Sequence, residues 1–273
     1  MVKKERFLKM EKLYHFTSYD TALIIIESNR LRFSRLTNMN DIHENDKIVF
    51  VNAQINSIPS EVFDSLHNEI YKYRQISLTA DDKENDKDGF DLHQMWGLYA
   101  EKGEGVCLVF DKKELEKSLV DSKIHRQRIA YDDTPELESF VVYESQKPEA
   151  VLAELESRIP DIFFHKRKEW EHEQEYRLLK RCPDEIKEEY LLLGHALKYV
   201  IMSSKLRTVD EVRYFKNIKD IAEKVENVEK ARNIGEEGAI SILIYGNGLF
   251  NYTLGDANGN YEIWNSNDGY ETL

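Results

Sequence analysis

The chain has 273 residues and a formal net charge of −13, which argues against broad, sequence-independent binding to a phosphate backbone, because that needs a basic surface. With 12 Phe and 15 Tyr, 41% hydrophobic and 33% charged residues, it is not a disordered polymer; the balance points to a folded protein with long amphipathic helices. No apolar run follows the charged opening Met1-Val-Lys-Lys-Glu-Arg-Phe7, and the longest aliphatic run, Ala22-Leu-Ile-Ile-Ile26, is far too short to span a bilayer. A cytoplasmic protein with no membrane partner is expected.

Leu13-Tyr-His-Phe-Thr17 reads as a short strand. Ser18 or Asp20 can cap a helix running through Ile24, Ile25 and Ile26, and Leu31-Arg-Phe-Ser34 alternates like a half-buried strand. The loop from Leu36 to Asp46 is rich in Asn and Asp, which turn chemistry accounts for; alternatively Asn40, Asp41 and Glu44 border a ligand pocket. Ile48 to Arg74 is helical with a break near Pro59, Gln75 to Thr79 is a strand, and Ala80 to Asp91 is a charged linker, either a lid or a solvated loop. Leu92, Met95, Trp96 and Tyr99 then share a helical stripe, the pattern of core packing, although a buried Tyr99 hydroxyl would need a partner.

Glu104 to Phe110 is the strongest strand signal and makes Cys107 a small core residue. With Cys182 the only other thiol, neither a disulfide framework nor a thiolate metal site is expected. A short helix from Lys112 to Leu119 and a partly exposed strand from Ile124 to Tyr131 follow. Pro148 to His172 is mostly helical, with Pro160 marking a new start or kink. Glu175 to Lys180, Leu197 to Met202 and Ile240 to Tyr245 read as strands, and Val209 to Arg232 as a charged amphipathic helix. Past Gly246 the composition shifts to Gly, Asn and aromatic residues, as in hairpins. With no repeat and no Pro/Gly/Ser-rich linker dividing the chain, the expected fold is one α+β domain over residues 1–245, a mixed sheet flanked by helices, with residues 246–273 as a β-rich appendage packed on it.

The densest chemistry lies in Lys166-Arg-Lys-Glu-Trp170-Glu-His-Glu173-Gln-Glu175-Tyr-Arg177. Read as a helix end running into a strand, it sets Glu173, Glu175 and Arg177 at alternate positions on one face. Two carboxylates and a guanidinium can hold a sugar hydroxyl, or bind a carboxylate or phosphate through Arg177. The plain alternative is a solvated helix end with an ordinary ion pair. A phosphate-binding Gly-rich loop, a dinucleotide fingerprint and a Gly-x-Ser-x-Gly elbow are all missing, and His165 and His172 stand seven apart, so no metal is expected.

Taken in order, Leu13-Tyr-His15-Phe-Thr17, Leu31-Arg-Phe-Ser34, Asn40-Asp41-x-x-Glu44, Met95-Trp96-x-x-Tyr99-Ala100 and Lys166-x-x-x-Trp170-x-x-Glu173-x-Glu175-x-Arg177 resemble a widespread bacterial family known only as domain of unknown function 2971. Ile42 stands where that family usually has Pro. More distantly, the Tyr-His-x-Thr strand followed by a helix and a second short strand is similar to the opening of ADP-ribosyltransferase-like folds. That resemblance implies NAD as the substrate, His15 on a ribose hydroxyl or the nicotinamide amide, Tyr99 stacked on the nicotinamide, and Glu175 stabilising an oxocarbenium-like transition state beside Glu173. Arg177 would suit the pyrophosphate, and Thr17, Asn40, Asp41 and Trp96 would complete the nucleotide-contacting set. It further implies a protein or nucleic-acid acceptor and a role in toxin or phage-defence biology. Two other readings stand beside it. One is a non-catalytic domain that binds a nucleotide or peptide; the other is a metal-dependent nuclease with Asp41, Glu44, Glu173 and Glu175 around Mg²⁺.

Overall fold

The computed structural model describes residues 7, 9–38, 60–119, 123–132, 148–183, 186–235, 239–246, 249–252 and 262–264. In chain order the regular elements are β1 (Lys12–Thr17), α1 (Tyr19–Ser28), β2 (Arg30–Arg32), β3 (Ser34–Arg35), α2 (Ser60–Ile70), β4 (Tyr73–Ala80), α3 (His93–Tyr99), β5 (Val106–Asp111), α4 (Lys112–Lys117), β6 (Ile124–Arg128) and β7 (Ala130–Asp132). They continue with α5 (Pro148–Ser157), α6 (Ile159–Phe163), β8 (His165–Arg167), β9 (Glu175–Arg181), β10 (Tyr190–Leu192), β11 (Leu197–Ser203), α7 (Lys205–Val209), α8 (Glu211–Ala231), β12 (Ser241–Tyr245), β13 (Leu249–Tyr252) and β14 (Glu262–Trp264). The chain divides into two compact units, one made of Met1–Leu31, Thr79–Val120 and Leu192–Leu273, the other of Arg32–Leu78 and Asp121–Leu191.

The first unit is built on a mixed sheet with strand order β14-β13-β12-β11-β5-β1, and Thr79 and Ala80 at the end of β4 pair with Tyr14 and Leu13. Neighbours run antiparallel except β11 and β12, which are parallel and joined by the α7–α8 crossover. That helical return is what a parallel pair requires. Central strand β5 is buried from Val106 to Phe110, which is why it reads as an unbroken apolar run: a strand covered on both faces has no polar side to alternate with. Helix α1 starts where Ser18 Oγ accepts the Thr21 backbone N–H (3.2 Å) and stops at Asn29 in the left-handed region. Helix α8 packs against α1 and buries Tyr214, Ile218, Ile221, Val225 and Val228, spaced three and four apart as one helical stripe demands.

Helix α3 covers the sheet face that carries Tyr14, Phe16, Cys107 and Val109. Trp96 meets Phe16 edge-to-face at 5.3 Å and donates its indole N–H to the Phe90 carbonyl at 2.7 Å. The preceding segment is tied down. The Tyr14 hydroxyl donates to Asp81 Oδ1 at 2.6 Å, the Gly89 N–H donates to the same oxygen at 3.0 Å, and buried Lys12 lies 2.8 Å from Asp88. Residues 82–87 close a turn through an Asp82–Lys87 bridge. Tyr14→Phe removes one donor from Asp81 and should cost about 1–2 kcal/mol. Urea denaturation measures the loss, and faster amide exchange at Gly89 places it.

In the second unit β3 pairs with the start of β4, Ser34 opposite Gln75, while β4 neighbours β9 and β9 runs antiparallel to β6 with Gln127 opposite Arg177. A parallel pair, β7 with β8, sets Tyr131 opposite Lys166. The core gathers Ile70 and Tyr73 with Leu155, Ile159, Ile162 and Phe163 from α5 and α6, and Leu179 from β9. Ile124 to Tyr131, expected as one strand, is two. Ile129 interrupts the edge by turning into this core, and its N–H donates to the Glu175 carbonyl at 2.9 Å. Residues 166–173, expected as a helix end, are a strand followed by a 3₁₀ helix from Lys168 to Glu173, because residues 165–167 are taken up by pairing with β7.

Candidate functional site

Lys166 from β8, Glu173 from the end of the 3₁₀ helix, and Glu175 and Arg177 from β9 meet in the second unit. Glu175 and Arg177 are two apart on one strand and so share a face. Their side chains form a two-pronged pair, with Arg177 Nε 2.7 Å from Glu175 Oε1 and Nη2 2.9 Å from Oε2. Lys166 Nζ reaches Glu173 at 2.5 Å and Glu175 Oε2 at 2.9 Å. Arg177 also donates through Nη1 to the Phe163 carbonyl. Leu179 continues the same face of β9 into the apolar core, which is why Arg177 is 0% exposed and Glu175 2%.

Two cations and two carboxylates therefore balance in a nearly dry setting. Burial by itself would raise the pKa of Glu175. Arg177 and Lys166 outweigh it through charge and hydrogen bonds and hold the carboxyl well below the usual carboxylate range. Tyr131 completes the surround by accepting the Glu175 backbone N–H at its hydroxyl, 2.8 Å away. Burial and the nearby Glu175 charge push its phenol above the ordinary value. Trp170 and His172 project from the 3₁₀ helix with their rings stacked at 6.0 Å, and Lys166 Nζ lies 5.4 Å from the centre of the Trp170 ring.

The other expected site residues lie elsewhere. His15 and Thr17 are on β1 in the first unit, His15 half-buried and paired in register with Leu108. Strand alternation turns both to the opposite sheet face from Tyr14 and Phe16. Trp96 is buried with Phe16, and half-buried Tyr99 packs against that same cluster. His15 and Thr17 are thus on one side of the sheet and Trp96 and Tyr99 on the other, while Glu173, Glu175 and Arg177 come together in the second unit. Asn40, Asp41 and Glu44 lie outside the described residues. Sequence reasoning missed Tyr131 and the pairing of Lys166 with both glutamates; the register of β7 against β8 is the fact that brings them in. Among the described residues no group of three or more His, Cys, Asp or Glu is arranged to hold a metal ion, and no helix is long and apolar enough to cross a membrane.

Residues 95–178 match the family described as "Protein of unknown function (DUF2971)". No curated protein and no solved structure matches the chain.

Proposed function

We propose that the chain, whose residues 95–178 match a family of unknown function, is a non-catalytic domain that binds a small nucleotide, with the Lys166–Glu173–Glu175–Arg177 cluster bracing the segment that carries Trp170 and His172. The observation that supports this reading is the engagement of Glu175. Both carboxylate oxygens are taken, one by Arg177 and the other by Arg177 and Lys166 together. A carboxylate so compensated has little charge left to offer a reacting atom, whereas it fixes the strand and the adjoining 3₁₀ turn firmly.

A second reading, glycosyl transfer or hydrolysis on NAD, draws on one specific observation. Glu175 stays ionised in surroundings nearly free of water, and a preorganised buried carboxylate is what stabilises positive charge developing at an anomeric carbon. Glu173, two residues away, would then orient the acceptor. A nuclease built on Glu173 and Glu175 has less behind it, because both carboxylates are already held by Lys166.

Incubation with NAD separates the readings. Calorimetry should register NAD binding while chromatography finds no free nicotinamide. Glu175→Gln should lower the unfolding free energy by about 2 kcal/mol, less than full loss of a partner because the amide keeps one acceptor for Arg177. Nicotinamide release that drops by about 10² or more in a still-folded Glu175→Gln protein would replace the binding reading with the enzymatic one. Absence of NAD binding sinks NAD as the ligand under either.

A further inference from the structure

Strand β6 ends the order β4-β9-β6 in the second unit: β9 lies on one side and, among the described residues, no strand on the other. The direction of its backbone groups follows from the register. In an antiparallel pair, residues that hydrogen-bond directly across alternate with residues that do not. Ile129 donates its N–H to the Glu175 carbonyl at 2.9 Å, and Glu175 continues the register that sets Gln127 opposite Arg177. His125 and Gln127 therefore turn their N–H and C=O groups toward β9, while those of Ile124, Arg126 and Arg128 point to the open side.

That open side has a definite length. At Ala130 the edge passes to β8: the Ala130 N–H donates to the Phe164 carbonyl at 2.8 Å, and β7 pairs with β8. The five residues of β6 are left as an open edge, about 17 Å of strand.

Open edges recruit further strands, and charged side chains decide which. Here the charge has one sign. Residues 123–131 include Lys123, His125, Arg126 and Arg128 but no Asp or Glu, in a chain whose net charge is −13. Residues 125–128 are all exposed, and Arg126 and Arg128 share one face, opposite Leu178 and Tyr176 of β9. Arg128 Nη1 lies 3.4 Å from the Gln174 side-chain oxygen, a neutral acceptor that a carboxylate can replace. A second copy of β6 laid antiparallel would set arginine against arginine, which is unfavourable. An extended segment with carboxylates two residues apart would instead meet both guanidinium groups across the strands.

We propose that β6 is a docking edge for an extended acidic peptide segment, which adds as a strand through the backbone groups of Ile124, Arg126 and Arg128 and sets alternate carboxylates on Arg126 and Arg128. This goes beyond the nucleotide reading and stands without it. A peptide fits the edge better than a nucleic acid, because a phosphate backbone has no N–H groups to complete the ladder.

Residue-resolved amide exchange and a peptide titration, both followed by NMR on the full chain, test the edge. In the free protein the amides of Ile124, Arg126 and Arg128 should exchange fast and those of His125 and Gln127 slowly. Slow exchange at all five would mean that the edge is already covered, and would overturn the proposal. The acetylated, amidated peptide Thr-Glu-Val-Glu-Val-Thr should shift the first three amides saturably and slow their exchange, whereas Thr-Lys-Val-Lys-Val-Thr should not bind. Arg126→Glu combined with Arg128→Glu, both at exposed positions, should weaken the acidic peptide about tenfold or more and admit the basic one. Failure of the acidic peptide to bind overturns the docking edge and leaves its cations as a guard against strand pairing. Equal binding by wild type and the double variant overturns it too. An oligothymidylate that displaces the acidic peptide while the alternate amides stay in fast exchange would assign the two arginines to phosphate instead.

Discussion

Arg177→Met is expected to lower the unfolding free energy by about 3–5 kcal/mol, the usual consequence of removing one partner from a buried ion pair. Methionine fills much of the same space but leaves the Phe163 carbonyl and both oxygens of Glu175 without the guanidinium that now satisfies them. Urea denaturation of the two proteins measures the difference. Replacing both partners together, Arg177→Met with Glu175→Leu, should recover much of the loss, because an apolar pair leaves no charge stranded. A double variant as unstable as the single one would show that packing around Arg177, not its charge, is what matters.

The same cluster sets an acid limb to stability. The folded-state pKa of Glu175 is depressed, so its contribution is fully present above the unfolded value of about 4.3 and is lost as pH falls through the folded value. Urea midpoints taken from about pH 7 downward should therefore fall below about pH 4. In Glu175→Gln that fall should be shallower, since the group that takes up the proton is gone.

Gly105→Ala is expected to cost about 3 kcal/mol or to prevent folding, for a purely steric reason. A Cβ at Gly105 would stand 2.4 Å from the Thr17 carbonyl oxygen and within 2.9 Å of two backbone atoms of Ala100. All three are main-chain atoms, and Ala100 is held by the Gly103 and Gly105 N–H groups, both donating to its carbonyl at 2.8 Å. Nothing there can swing aside as a side chain would. The turn between α3 and β5 is already tight, with Lys102 at φ 58° and Gly103 at φ 89°. Denaturant unfolding of the purified variant reads the effect, and a loss below about 1 kcal/mol would mean that the turn relaxes more than its hydrogen bonds suggest.

Both expectations concern residues whose importance is unevenly visible in the chain. The apolar run at Val106–Phe110, the stripe on Glu211–Ala231, the Ser18 cap and the Leu92–Met95–Trp96 stripe are local patterns, and each forms the element or packing it implies. Glu175 and Arg177 were readable as a same-face pair because strand alternation is a two-residue property. What a side chain meets across the fold has no such signature. Lys166 reads as one more charge in a basic run, and only the register of β7 against β8 carries it to both glutamates. Gly105 looks like any glycine before a strand until Thr17 and Ala100 close on it.

The sequence by itself determined where the strongly patterned strands and helices lie and which residues share a strand face, because backbone periodicity and capping are settled within a few neighbours. Tertiary structure alone decided which sheet face α3 covers, and hence that Tyr99 packs on the side away from His15. It also decided that the charged segment ends as a buried brace and not as a solvated helix terminus. Those outcomes depend on pairings between residues far apart in the chain, where burial and register, not local preference, select the partner.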